Sequence, residues 1–128
     1  MKTKEVILVD DDPINNFIMK KMLTFESDIV LKIFEFPEKA LAYVKENKDH
    51  CEFLILLDIN MFIIDGWEFL DELDKNSFGS KVIVITSSDN IEDRQRATSN
   101  KRVIKFFVKP LTDEEIVILK KLIEKSNV

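Results

Sequence analysis

The chain has 128 residues, 45% of them hydrophobic, which suits one ordinary domain able to build its core without staples. Its formal net charge of −5 argues against nucleic acid or an anionic membrane as a direct partner and favours a protein or a cation. The single cysteine, Cys51, excludes an internal disulfide and a cysteine zinc cluster; no apolar run approaches the ~20 residues of a membrane span, and no signal-peptide core follows Met1, so a cytoplasmic location is expected.

The first apolar run, residues 6–9, shows no alternation and reads as a strand buried on both faces. It ends on Asp10, Asp11 and Asp12. Asp12 is a suitable N-cap and Pro13 a suitable first residue for a helix, along which Ile14, Phe17, Ile18, Met22 and Phe25 follow helical spacing. A second strand is expected at 29–34, and Pro37 opens a helix with Ala40, Leu41 and Val44 on one side. A third strand at 53–57 runs into Asp58. Asp65 with Glu68 resembles a capping box, starting a helix through Trp67, Leu70 and Leu73. The fourth strand, 82–86, closes on Thr86, and Asp89 with Glu92 suggests a short polar helix after it. The fifth, 103–108, is followed by Lys109; Thr112 with Glu115 then opens a helix with Ile116, Leu119, Leu122 and Ile123 inside. Gly66 and Gly79 are the only glycines, so there is no glycine-rich phosphate loop, and no repeat or linker is evident.

Five β–α units in succession predict an α/β fold: a doubly wound, five-stranded parallel sheet with helices on both faces, as one domain over residues 1–128. In the flavodoxin-like strand order 2-1-3-4-5, ligands bind beyond the carboxyl ends of strands one and three. Asp10, Asp11 and Asp12 would there face Asp58, with Thr86 and Lys109 on the same edge. Acids so crowded repel one another unless a cation joins them, and their oxygens suit a hard divalent metal.

Four motifs in this order, ILVDDDP at 7–13, LLDINMFIIDGWEFL at 56–70, VIVITSS at 82–88 and FFVKP at 106–110, resemble the receiver domain of two-component response regulators, in the manner of a single-domain chemotaxis regulator. The resemblance implies a phosphoprotein of a phosphorelay, not an enzyme beyond its own phosphoryl transfer and dephosphorylation. Asp58 matches the aspartate that takes a phosphoryl group from the phosphohistidine of a sensor histidine kinase or a histidine phosphotransfer protein. Asp10 and Asp11 match the acidic pair that holds Mg2+ (or Mn2+ in its place), with Asp11 the direct ligand. Asp58 and the backbone carbonyl of Asn60 complete that set, and the Asn60 side chain is expected to matter less than its position. Thr86 matches the residue whose hydroxyl hydrogen-bonds the phosphoryl group once it is on the aspartate, and Lys109 the lysine that pairs with Asp58 and later with its phosphate, the Lys109-Pro110 bond being cis in the family.

Phe106 matches the aromatic switch position, where a plain core role competes. Phe62 stands where the family usually has proline, and loss of that fixed φ is expected to loosen the loop beside Asp58. The output is expected to be contact with a downstream protein, a phosphorylation-dependent homodimer included, without direct nucleic-acid or membrane binding. Two other readings stand beside this one. A haloacid-dehalogenase-like phosphohydrolase would use Asp10 as nucleophile and Asp12 as acid–base residue, but lacks a cap domain and a later acidic pair. A binding module would be a receiver that signals without phosphate, or a flavodoxin, although acids rather than hydroxyl groups end the first strand. His50, beside Cys51, reads as structural.

Overall fold

A computed structural model describes residues 3–23, 29–76 and 79–125. Strands and helices alternate: β1 Thr3–Val9, α1 Pro13–Met22, β2 Val30–Phe34, α2 Pro37–Asn47, β3 Cys51–Leu57, α3 Gly66–Lys75, β4 Lys81–Thr86, α4 Ile91–Thr98, β5 Val103–Val108 and α5 Asp113–Lys125. All pairings are parallel, in the order β2-β1-β3-β4-β5. Val9 aligns with both Phe34 and Leu57, Leu57 with Val84, and Thr86 with Val108, so β1, β2 and β3 end level on one edge and β4 and β5 end together two residues beyond them.

The pleat divides the core in two. Ile7, Val9, Ile55, Leu57, Val82, Val84 and Phe106 meet Ala40, Val44, Phe69, Leu73 and Ala97 from α2, α3 and α4. Val6, Leu8, Leu54, Leu56, Ile83, Ile85 and Phe107 meet Met19 from α1 and Leu119 and Ile123 from α5. Strands buried on both faces explain the unbroken apolar runs.

Several boundaries and faces differ from the sequence expectation. β1 and β3 begin before their apolar runs and β2 one residue later than expected, because ladder bonds rather than hydropathy end a strand. Asn90, not Asp89, caps α4, its side chain accepting from the Glu92 N–H at 2.7 Å. The other caps stand as read: Asp12 accepts from Ile14 N–H, Asp65 from Glu68 N–H, and Thr112 and Glu115 bond each other's N–H reciprocally. On α1, Ile14, Phe17, Ile18 and Met22 are exposed, while Asn16 and Met19 are buried. A helical stripe normally faces the core. Here the rotation of α1 is set by the Asn16 side-chain amide, which donates to the Asp10 carbonyl at 2.8 Å. Phe25 lies outside the described residues. On α5 only Leu119 and Ile123 are fully buried, with Ile116 and Leu122 partly so.

Glu5, buried in β1, accepts from the Tyr43 hydroxyl and from the Cys51 thiol at 3.4 Å. Burial and this carboxylate push the Cys51 thiol up, away from the reactive thiolate. His50 and Cys51 sit at the start of β3, away from the acidic edge, in keeping with structural roles.

Candidate functional site

The polar edge is built by extending the sheet's hydrogen bonds one residue beyond the strands. Asp10 N–H donates to the Phe34 carbonyl at 3.2 Å, Asp58 N–H to Val9 at 3.1 Å, and Lys109 N–H to Thr86 at 2.8 Å. Each side chain therefore leaves a backbone already fixed by the ladder. The Lys109-Pro110 bond is cis.

Lys109 is the centre of the constellation. Its Nζ lies 2.5 Å from Asp10 Oδ2 and 3.0 Å from Asp58 Oδ2. Asp10 is 1% exposed and Asp58 5%, so one ammonium serves two buried carboxylates. Burial holds the Asp10 carboxyl above its usual range despite Lys109. Burial alone would lower the Lys109 ammonium, but its bond to Asp10 and the charge of Asp58 carry it above its usual value. The remaining oxygens are also engaged: Asp10 Oδ1 accepts from Asp12 N–H at 2.9 Å, Asp10 Oδ2 also from Asn15 at 2.8 Å, and Asp58 Oδ1 from Asn60 N–H at 2.9 Å.

Asp11 stands apart. Its Oδ2 accepts from the Phe62 N–H at 2.8 Å, in the loop between β3 and α3. Phe62, which stands where the family usually has proline, thus bonds the site through its backbone N–H. Among the described residues, Asp11 Oδ1 is the one oxygen of the three carboxylates without a protein donor.

Thr86 is fully buried, its Oγ1 accepting from the Asn60 side-chain amide and the Ser88 N–H, each at 3.4 Å. The Asn60 side chain therefore has a part in the site, linking the loop after Asp58 to the end of β4. Ser88 in turn donates to Asp93 at 2.7 Å, joining the edge to α4. Phe106 is 5% exposed in the core under α4, with the Arg94 guanidinium 5.6 Å from its ring centre. Gly66 begins α3 pressed against the chain after Asp58: a Cβ there would lie 2.4 Å from Ile59 Cα and 2.9 Å from the Asp58 carbonyl. Asn15 and Arg94 lie outside the four sequence motifs, and the roles of Gly66 and of the Phe62 N–H within the second motif do not show in residue type alone. Only Asn15, one helical turn beyond the acids, could have been marked from spacing.

The chemistry of the donors suits a hard divalent ion. All are oxygens, and three acids outnumber one ammonium. Among the described residues, however, no three acidic, histidine or cysteine side chains stand together as a ready-made cage. Five of the six carboxylate oxygens are held by protein donors, so an ion would have to exchange with some of them.

The model of the response regulator receiver domain family matches residues 6–121. Chemotaxis protein CheY of Halobacterium salinarum is 29% identical over 94 residues, spanning 73% of this chain and 75% of that protein. Two solved structures share the fold. A response regulator receiver protein from Dyadobacter fermentans has a TM-score of 0.77 at 24% identity, over 97% of this chain and all of that one. The Mn2+-bound form of response regulator Rcp1 has a TM-score of 0.76 at 22% identity, over 98% of each chain. With the family match running from within β1 to within α5, this chain belongs to the response regulator receiver domain family.

Proposed function

We propose that this receiver is a phosphoacceptor switch in which Asp58 takes a phosphoryl group from the phosphohistidine of a sensor kinase or phosphotransfer protein. The observation that carries this reading is the shared contact of Lys109 Nζ with Asp10 and Asp58 at the sheet's switch point. An Asp58 oxygen attacks phosphorus, the phosphorus–nitrogen bond breaks, and its electron pair leaves with the imidazole, which is then protonated from solvent. Lys109 leaves the Asp58 carboxylate and follows the negative oxygens of the transferred group. The Thr86 hydroxyl and the Asn60 N–H, the latter now bonded to Asp58 Oδ1, would donate to those oxygens. Asp10, Asp11, Asp58 and the Asn60 carbonyl would hold Mg2+ or Mn2+, which offsets the charge of the phosphoryl oxygens. The Mn2+-bound response regulator of the same fold supports that choice of ion.

A dianionic group on Asp58 is expected to draw Thr86 and Lys109 toward it. Movement of Thr86 would disturb the Ser88–Asp93 link to α4 and the packing of Phe106, and so change the surface offered to a downstream partner. The rim of the pocket supports protein rather than small-molecule delivery. Asp11, Phe36, Phe62 and Ile63 line one groove, with Ile14, Phe17 and Ile18 exposed on α1 beside Asp12.

The hydrolase alternative is disfavoured by Asp12, which it needs as an acid–base residue; that side chain is turned to the Ile14 N–H at the start of α1. Among the described residues no helix is long and apolar enough to cross a membrane. The test is intact mass after incubation with acetyl phosphate, with and without Mg2+, for wild type and Asp58→Asn. A Mg2+-dependent, hydroxylamine-sensitive adduct in wild type alone is expected. An adduct retained by Asp58→Asn would transfer the chemistry to another residue.

A further inference from the structure

The loop between β3 and α3 touches the acidic site through the backbone of residue 62, not its side chain. The Phe62 N–H donates to Asp11 Oδ2 at 2.8 Å, while Phe62 itself is 84% exposed. Ile63 follows with φ 66°, and the Ile64 N–H closes on the Phe62 carbonyl at 2.7 Å. This is a γ-turn of the rare, strained kind with positive φ. A β-branched residue is a steric outlier there, and Ile63, 86% exposed, gains no core contact in return. Such a turn persists only if neighbouring contacts hold it. The charge-assisted bond to Asp11 is the contact of the right strength at the right place.

Asp11 differs from its two neighbours in what it is bonded to. Asp10 and Asp58 are held by Lys109 and by groups of the pocket itself: Asn15 and the Asp12 and Asn60 N–H groups. Asp11 is held by the loop, and the three carboxylates as they stand form no cage. We propose that the Phe62 N–H is a latch, holding the Asp11 carboxylate against the β3–α3 loop until a divalent ion draws Asp11 into the site and releases the loop. This rests on the ion-binding reading given above and adds to it a competitor within the protein. The latch belongs to the backbone, so it depends on residue 62 having an N–H and not on its ring. Occupancy of the site and the conformation of the rim carrying Phe62 and Ile63 are then coupled, each biasing the other by the same free energy.

Phe62→Pro removes the donor, whereas Phe62→Ala keeps it and deletes the ring. Calorimetric titration of the whole chain with Mg2+ should show Phe62→Pro binding about threefold to tenfold tighter, the scale of one hydrogen bond, with Phe62→Ala unchanged. Equal or weaker binding by a folded Phe62→Pro would overturn the latch, the bond then being idle or orienting the ligand. A second measurement needs no variant. In wild type, the Phe62 amide proton should move upfield and exchange faster as Mg2+ saturates the site. A Phe62 amide that stays protected while the ion binds overturns the latch and leaves the ion site intact. Failure of wild type to bind Mg2+ or Mn2+ at all would instead overturn the ion-binding reading, and the latch with it.

Discussion

Lys109 and Asp10 stand 99 positions apart in the chain, yet Lys109 Nζ lies 2.5 Å from Asp10 Oδ2. Their strands, β5 and β1, are not neighbours; β3 and β4 lie between them. The contact therefore spans the carboxyl edge of the sheet, and Asp58 shares it at 3.0 Å. Removing the ammonium leaves two buried acids without a counter-charge. Lys109→Met should lose roughly 3–5 kcal/mol of stability at neutral pH, measured by urea unfolding without divalent ions. Millimolar Mg2+ should restore part of the loss, because an ion that binds only the folded state stabilises it by linkage. A variant as stable as wild type would mean that the bridge does not balance the acids.

The Asp10 carboxyl gives a pH signature of defined sign. Burial raises its folded pKa above the unfolded value near 3.8. Between those two values the folded state binds more protons than the unfolded one, so stability falls as pH rises through the window. Asp10→Asn cannot titrate. The stability of wild type relative to Asp10→Asn should therefore improve as pH is lowered from neutral toward 4, in EDTA. At the alkaline end the raised Lys109 pKa works the other way round from a depressed acid. Its stabilisation is complete below the ordinary lysine value of 10.5 and fades as pH rises through the folded value. A wild-type–variant difference that is flat with pH would show Asp10 to be unperturbed.

The two glycines should respond in opposite ways. At Gly66 a methyl group would meet Ile59 Cα at 2.4 Å and the Asp58 carbonyl at 2.9 Å, both backbone atoms that cannot swing aside. Gly66→Ala should lose about 2–3 kcal/mol by overpacking and slow phosphorylation of Asp58. Nothing lies within 4 Å of a Cβ built at Gly79. Gly79→Ala should stay within about 0.5 kcal/mol of wild type. Paired denaturant melts and acetyl phosphate rates check both, and equal effects at the two positions would contradict the close approach of α3 to the Asp58 segment.

Much of this arrangement could be read from the chain, for a physical reason. Strands buried on both faces declare themselves as unbroken apolar runs, and the residue after each run lands on one edge. Asp10, Asp58 and Lys109 were placed together by that rule alone. What periodicity leaves open is phase: Ile14, Phe17, Ile18 and Met22 have helical spacing but lie outside, because the Asn16 bond to the Asp10 carbonyl sets the rotation of α1. Contacts made by backbone groups were also out of reach. The Phe62 N–H on Asp11 leaves no mark in residue type, and the glycine at position 66 marks a close approach without telling which segment makes it. The Asn60 bond to Thr86 joins residues 26 positions apart and needs the loop conformation to be seen.

The signal should leave through Phe106 and α4. Ala97 is the one fully buried residue of α4, and Arg94 covers the Phe106 ring at 5.6 Å. An element so lightly anchored is drawn from the low-stability end of the fold. A beryllofluoride mimic with Mg2+ should change amide exchange mainly over residues 90–100 and in β5, Val103–Val108. Phe106→Leu, chosen to keep the core filled, should still take up phosphate at Asp58 but respond less in both segments. Changes confined to the surroundings of Asp58, or a variant that responds like wild type, would make Phe106 a core residue only.

If Asp58 is the nucleophile, the modified residue can be located by position-specific chemistry. An acyl phosphate reduced with borohydride leaves homoserine in place of aspartate, which peptide mass spectrometry locates by residue. After treatment of wild type with acetyl phosphate and Mg2+, homoserine should appear at position 58 and be lost when EDTA replaces the ion. Homoserine at position 10, or a borohydride-resistant adduct on Thr86 or a neighbouring serine, would contradict it.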